Sequence, residues 1–420
     1  MATKRKKKEE VTDSTDTSID DFSIELIKQL NKEHNANIAF NLSMGDAPTN
    51  IKRWIPTGSR GLDAILSNRV HGGLAEGRIV EIYGPPSCGK STLCFQIAKH
   101  TQGLGGVVVY IDTENATNPQ SLIEMGIDVE KRFAFVQTGC TEEVFAAAES
   151  AILKMRSMNK DVPLTIIWDS VANSSPRAEL EGEYDQNTIG LQARVIGKGM
   201  RKITNIIANQ NVLFVIVNQQ RKMIGAGPYQ KDTTTPGGMA IPYAASTRIE
   251  ITSTGKAHIK DKDGTVIGIK VKAKTEKNKV AAPFRTAEFS IIYGVGIEEH
   301  EECFDMFKSA CDTKGPATTE SGKLVEVSGN GAWKTINISK ADTGEVIEEI
   351  KCYKAEFGDK FMYLPQYAEE VDALIEHAFI MKSQTAPHPT LEGPDFTSYS
   401  NAQAVLMEAA ERELKEEGKL

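Results

Sequence analysis

Apolar residues along this chain change their spacing several times, and each change predicts a different element. Phe22, Ile24, Leu26, Ile27 and Leu30 recur at roughly helical intervals between Asp20 and His34, which predicts a short amphipathic helix. A linker bearing Pro and Asn follows to about Trp54. From about Ile55, short β-branched runs alternate with helical stretches: Ile79 to Tyr83, Val107 to Ile111, Phe133 to Gln137, Leu164 to Trp168 and Leu213 to Val217. Residues 163–169 and 212–218 are almost continuously apolar, the pattern of central strands covered on both faces. Strands separated by helices form βαβ units, so the pattern predicts an α/β fold with a mostly parallel sheet. Further strand-like runs are Thr247 to Ile251, Ile267 to Val271 and Ala287 to Ile292.

After about Val295 the composition shifts. Residues 301–395 mix short helices, Gly-rich turns and a strand-like WKTINI, which predicts a smaller α+β domain. The end, AVLMEAAERELKEEGKL, predicts an acidic helical segment. The expected organisation is a disordered polar tail over 1–20, a helix and linker over 21–54, a core over 55–297, a C-terminal domain over 298–395 and an acidic tail over 396–420. No repeat of fixed period appears.

Composition changes this picture little. A length of 420 residues predicts two or three domains, and 40% hydrophobic with 25% charged residues excludes a wholly disordered chain. No run approaches the roughly 18 apolar residues that a membrane helix needs. The basic start, MATKRKKKEE, has no apolar stretch behind it, so a secretory signal is not expected. The run Lys4 to Lys8 reads as a solvated tail or a phosphate contact. Cysteines at 88, 94, 140, 303, 311 and 352 form no Cys-x-x-Cys pair, which predicts free thiols in a reducing cytoplasm. Net charge is −8, yet nucleic-acid binding depends on where the positive charge sits.

The candidate chemistry begins with Gly84-Pro85-Pro86-Ser87-Cys88-Gly89-Lys90-Ser91, the spacing of a phosphate-binding loop between an apolar strand and a helix that opens at Thr92. Its glycines let backbone N–H groups surround a phosphate, and the following helix presents its positive end. Lys90 reaches the β- and γ-oxygens of ATP, and the Ser91 hydroxyl ligates Mg²⁺. Asp169 ends the run Leu164 to Trp168, where an acid beside such a loop can hold Mg²⁺ through water. Asp112 and Glu114 end the second run, and either can orient a water for hydrolysis. Arg194, Lys198, Arg201 and Lys202 share one helical face, and residues 256–279 hold eight lysines. Between them, the polar Gly-rich stretch from Gln219 through Arg221, Lys222, Gly237 and Gly238 suits a phosphodiester strand.

Together these residues resemble the bacterial RecA recombinase family, including its phage-encoded members. The resemblance runs from about Trp54 to Ile297 through PTGSRGLD, GRIVEIYGPPSCGKSTL, YIDTEN, WDSVA, EGEYDQNTIGLQARVIGKGMRK, VNQQRKMIG, TTTPGG, KNKVAAPF and AEFSIIYGVGI, in the family's order. Residues beyond 301 match only loosely. It implies a RecA-like P-loop ATPase core and an ATP- and Mg²⁺-dependent recombinase. Such a protein polymerises as a helical filament on single-stranded DNA and exchanges strands with a homologous duplex, aided by single-strand-binding and mediator proteins. The resemblance assigns water positioning to Glu114, the metal site to Asp169 and the switch between γ-phosphate and DNA loop to Gln219. It assigns to Lys277 and Lys279 a reach across the protomer interface. DNA contacts fall to about Glu181 through Arg201, including Ile189, Arg194 and Arg201, and to about Gln220 through Gly238. The helix and linker over 21–54 and Tyr243 become protomer contacts. The family's adenine-stacking Tyr is Ser121 here, an adenine-contacting Asp is Asn118, and a Lys beside the filament aromatic is Pro242, so Tyr293 is the candidate ring for the base. A helicase or motor on the same fold is the alternative, but its usual arginine finger is replaced by Lys277 and Lys279. Intact Lys90, Glu114 and Asp169 argue against a non-catalytic regulator.

Overall fold

The computed structural model describes residues 22–42, 47, 49–183, 190–222 and 233–382, without the side chains of Lys222 and of 254–257. The tails expected over 1–20 and 396–420, Ile189, the Lys222 side chain and residues 223–232 of the expected DNA loop therefore lie outside the described residues.

The apolar runs become strands β1 (Ile79–Gly84), β2 (Val107–Asp112), β3 (Phe133–Gln137), β4 (Leu164–Asp169) and β5 (Val212–Gln219). They continue into β6 (Thr247–Lys260), β7 (Val266–Asn278), β8 (Thr286–Ile292) and β9 (Gly296–Glu298). These nine form one sheet in the order β9-β8-β7-β6-β1-β5-β4-β2-β3. Every pairing from β3 through β6 is parallel, and those among β6, β7, β8 and β9 are antiparallel. β4 is buried along its whole length and β5 up to Gln219, because helices cover both sheet faces. The edge strand β3 is half-exposed, so its apolar run marks a sheet border.

Strands β6 and β7 are longer than the runs Thr247 to Ile251 and Ile267 to Val271 that announced them. The extra length is a hairpin whose turn is stapled by Asp261, which accepts N–H groups of Asp263 and Thr265. Lysines alternate along β7 with buried Ile269, Val271 and Ala273, and this alternation hid the strand's full extent.

Helices α1 (Phe22–Glu33), α2 (Arg60–Ser67), α3 (Lys90–Gly103), α4 (Pro119–Glu124), α5 (Thr141–Met158), α6 (Arg177–Leu180), α7 (Leu191–Asn209) and α8 (Ala240–Ala244) accompany the sheet. α1 buries none of its residues. α7 buries Ile196, Met200, Ile203 and Ile207, which turns Arg194, Lys198, Arg201 and Lys202 to solvent.

Beyond β9 come α9 (His300–Lys314), an antiparallel sheet of β10 (Ala317–Thr318), β11 (Lys323–Ser328), β12 (Trp333–Lys340) and β13 (Val346–Tyr353), and α10 (Ala368–Phe379). One buried apolar cluster runs from Leu62 and Val80 to Phe304, Phe357 and Phe379, and residues up to Ile380 form one compact unit. Glu299 is fully buried at the start of α2, where Ser59 donates to it. Burial raises its pKa and raises that of nearby Asp63 well above the usual range. No helix among the described residues is long and apolar enough to cross a membrane.

Phe357 is fully buried, with the rings of Phe304 and Phe361 5.3 and 5.6 Å away. Phe357→Ala is expected to cost about 3–5 kcal/mol of stability in chemical unfolding. A loss below about 1 kcal/mol would show that this aromatic cluster is not what holds the C-terminal elements.

Candidate active site

The strand register assembles the site. Gly84 of β1 lies beside Gln219 of β5, and Asp112 of β2 lies beside Asp169 of β4. Each ends its strand, so the chemistry-bearing residues share the sheet's carboxyl edge.

The phosphate loop leaves β1 at Gly84 and enters α3 at Lys90. Ser87 and Gly89 take left-handed backbone angles, φ 56° and 89°, which curl the loop into a concavity for an anion. A Cβ at Gly89 would also lie 2.2 Å from Ile291 Cδ1, so any larger residue would have to displace that side chain. No side chain caps α3, so its first N–H groups are left to face a ligand. Lys90 is buried and folds back, donating to the carbonyls of Gly84 at 3.2 Å and Pro85 at 2.6 Å.

A cleft of about 510 Å³ is lined by Pro86, Ser87, Cys88, Gly89, Lys90, Ser91, Thr92, Glu114, Asp169, Gln219 and Tyr293, with Ile269 and Ile291 as an apolar wall. Asp169 is buried and accepts the Tyr110 hydroxyl at 2.7 Å. Burial pushes its carboxyl pKa up, hydrogen bonds from Tyr110 and Ser91 hold it down, and Glu114 and Asp112 add to the rise. Ser91 and Asp169 are thus adjacent hard oxygen donors, a pair that fits Mg²⁺. Among the described residues no group of three His, Cys, Asp or Glu forms a metal cage. Mg²⁺ commonly keeps waters and substrate oxygens as its remaining ligands, so two protein donors suffice.

The two acids at the end of β2 separate clearly. Asp112 accepts backbone N–H groups of Glu114, Asn115 and Thr117 at 2.8, 2.9 and 3.1 Å, which makes it the staple of its own loop. Glu114 reaches the cleft, where its Oε1 accepts Ser170 Oγ at 2.7 Å and Gln219 Nε2 at 2.9 Å. The sequence pattern did not single out Ser170 or Tyr110. Their only signal was a polar atom on or beside an apolar strand. Asn118 caps α4 by accepting the Gln120 N–H, and neither it nor Ser121 lines the cleft. Tyr293 does, with 56% of its surface exposed.

From Gln219 the chain runs directly into the expected DNA loop. Buried Asn218 donates to Glu81 Oε1 and to the Pro236 carbonyl, both at 3.0 Å, so the end of that loop is tied to the central strand. Arg221–Lys222 pairs with Thr233–Thr234. Gly237 and Gly238 have φ of 89° and 70° and press on Ile196 and Ala193 of α7, where a Cβ on either would come within 3.0 Å. The loop end therefore sits on the helix that exposes Arg194, Lys198 and Arg201.

Lys277 and Lys279 do not line this cleft. Lys277 Nζ donates to the carbonyls of Pro242 at 2.7 Å and Tyr243 at 3.0 Å. Burial, then the charges of Lys279 and Arg248, pull its pKa down. Tyr243 beside it is 71% exposed, and Lys279 is exposed.

The RecA N-terminal domain family matches residues 24–298. Protein RecA of Laribacter hongkongensis is 37% identical over 321 residues, 76% of this chain and 86% of that protein. Protein RecA of Marinobacter nauticus is 37% identical over 339 residues, covering 80% and 91%. Protein RecA of Methylococcus capsulatus is 42% identical over 252 residues, covering 60% and 69%. With the phosphate loop, Glu114 and Asp169 assembled in one cleft, these matches place the chain in the RecA family of DNA recombination and repair recombinases.

Proposed function

We propose that this chain binds ATP with Mg²⁺ in the phosphate-loop cleft, hydrolyses it through Glu114, and couples hydrolysis to DNA through Gln219. The single observation that carries this reading is the hydrogen bond between Glu114 and Gln219, since Gln219 opens the loop tied to α7. The loop N–H groups and Lys90 bind the β- and γ-phosphates. Ser91 and Asp169 hold Mg²⁺, which when bound neutralises charge on the transferred phosphoryl group. Glu114 orients the attacking water and accepts its proton. Tyr293 supports the base. Residues 223–232 and the side chain of Lys222 belong to the same loop by sequence.

DNA is held by Arg194, Lys198, Arg201, Arg221 and Lys222, with Gly237 and Gly238 letting the backbone approach a phosphate. The DNA is single-stranded, the assembly is a helical filament, and base pairing with an incoming homologous duplex reads the sequence. Lys277 and Lys279 act on a neighbouring protomer's ATP, a reading supported by their place outside their own cleft and beside exposed Tyr243. ATP then bridges protomers, and hydrolysis loosens that contact. Single-strand-binding and mediator proteins are the further partners. All six cysteines are free, which suits a reducing cytoplasm.

Glu114→Gln is expected to keep ATP and DNA binding and lose about 10²–10⁴-fold in turnover, because an amide cannot take the proton. Steady-state ATPase assays with single-stranded DNA check this, and near-normal turnover would remove Glu114 from the role.

Lys277→Ala with Lys279→Ala, and separately Lys90→Ala, should each be ATPase-poor. Mixing the two proteins should restore some activity, since some interfaces then pair an intact phosphate loop with intact lysines. No recovery in verified co-filaments would count against action across the interface.

Affinity for single strands should fall with salt at a log–log slope of about −0.7 per phosphate contacted. Arg221→Ala should weaken binding to all sequences alike and make the slope shallower by about one contact. Titration of a labelled oligonucleotide at several salt concentrations measures both, and an unchanged slope would take Arg221 out of the DNA site.

A further inference from the structure

We propose that Ser170 is a positioning residue that holds Glu114 in place while Gln219 leaves it. The inference rests on the hydrolytic reading of Glu114 and the switch reading of Gln219, and deepens both.

The backbone around Glu114 is fixed by the three N–H bonds to Asp112, but a glutamate side chain keeps three rotatable bonds of its own. Orienting a water needs that carboxylate held to a fraction of an ångström. Two donors hold it, and both bond the same oxygen: Ser170 Oγ at 2.7 Å and Gln219 Nε2 at 2.9 Å. Among the described residues, Oε2 takes no hydrogen bond, which leaves it as the oxygen to receive a water's proton.

The two donors differ in how firmly they are anchored. Ser170 is fully buried. Its carbonyl accepts the Thr113 hydroxyl at 2.6 Å, and the preceding Asp169 carbonyl accepts the Thr113 N–H at 2.8 Å. The end of β4 is thus clamped to the end of β2, so the Ser170 backbone is fixed and a single side-chain torsion is left to place its hydroxyl. Gln219 instead stands half-exposed at the end of β5, with a second bond to Asn173 Oδ1 stretched to 3.5 Å.

Both N–H groups of Gln219 sit on one nitrogen and now point to Glu114 and Asn173, so a side chain that swings toward a phosphate carries both away from their present acceptors and gives up the bond to Glu114. Ser170 is then the donor that remains. Sensing and water positioning are therefore carried by different side chains, and the switch moves without dragging the base. The ordinary alternative is a buried hydroxyl that merely found an acceptor. That role would affect stability, with ATPase losses equal with and without DNA.

The test compares Ser170→Ala with the unmodified chain. The DNA-stimulated kcat should fall about tenfold, the usual scale for one hydrogen bond to a charged group, and the basal kcat by about threefold or less, since Gln219 still holds Glu114 there. KM for ATP and affinity for single-stranded DNA should stay within about twofold, and Ser170→Thr should recover most of the stimulated rate. A second readout is electron cryo-microscopy of unmodified filaments on single-stranded DNA with a non-hydrolysable ATP analogue. Ser170 Oγ should remain within hydrogen-bonding distance of Glu114 once Gln219 has turned to the γ-phosphate. Equal losses with and without DNA, no loss at all, or Glu114 detached from Ser170 in the filament would each overturn the proposal. An unmodified chain that forms no filament or hydrolyses no ATP would overturn the proposed function instead.

Discussion

Parallel pairing of β1, β5, β4 and β2 in one register is the constraint on which the site depends. It sets Gly84 against Gln219 and Asp112 against Asp169 at a single sheet edge. A one-residue slip would turn every side chain of a strand to the other face, and strands buried on both faces resist it strongly. The phosphate loop, Asp169, Glu114 and Gln219 thus inherit their spacing from backbone hydrogen bonds deep in the core.

The same edge joins the phosphate-loop cleft to the loop after β5 by a short path. Asn218, one residue before Gln219, binds the buried carboxylate of Glu81 and the carbonyl of Pro236. Arg248 pairs with the other oxygen of Glu81 and lies over the Tyr83 ring. The end of the loop expected to meet DNA is consequently fastened to a paired, buried charge network, whereas Gln219 beyond it stands half-exposed and bonds Glu114 and Asn173.

Charge distribution follows the same economy. The chain carries a net −8, yet α7 turns Arg194, Lys198 and Arg201, which make no ion pair with another described residue, to one solvent face because its other face is apolar. On β7 three lysines pair with glutamates: Lys270 with Glu302, Lys272 with Glu288 and Lys274 with Glu276. A count of basic residues by sequence treats these two groups alike. Ion pairing separates them.

Apolar periodicity alone determined the α/β class, the central strands and the order of elements, because burial on both faces leaves a continuous apolar run. The phosphate loop was equally legible, since its function needs only residues adjacent in the chain. Resemblance added the candidate roles of Glu114, Gln219, Lys277 and Lys279. What the chain could not disclose was which of two acids at the end of β2 faces the cleft, because Asp112 and Glu114 have the same chemistry. Tertiary structure decided it by giving Asp112 three backbone donors and Glu114 the donors of β4 and β5. Nor did sequence reveal Ser170, the true length of the β6–β7 hairpin, or the exposed strand β13. Each of these depends on partners far along the chain, and a one-dimensional pattern records a residue's polarity but not the atom it will meet.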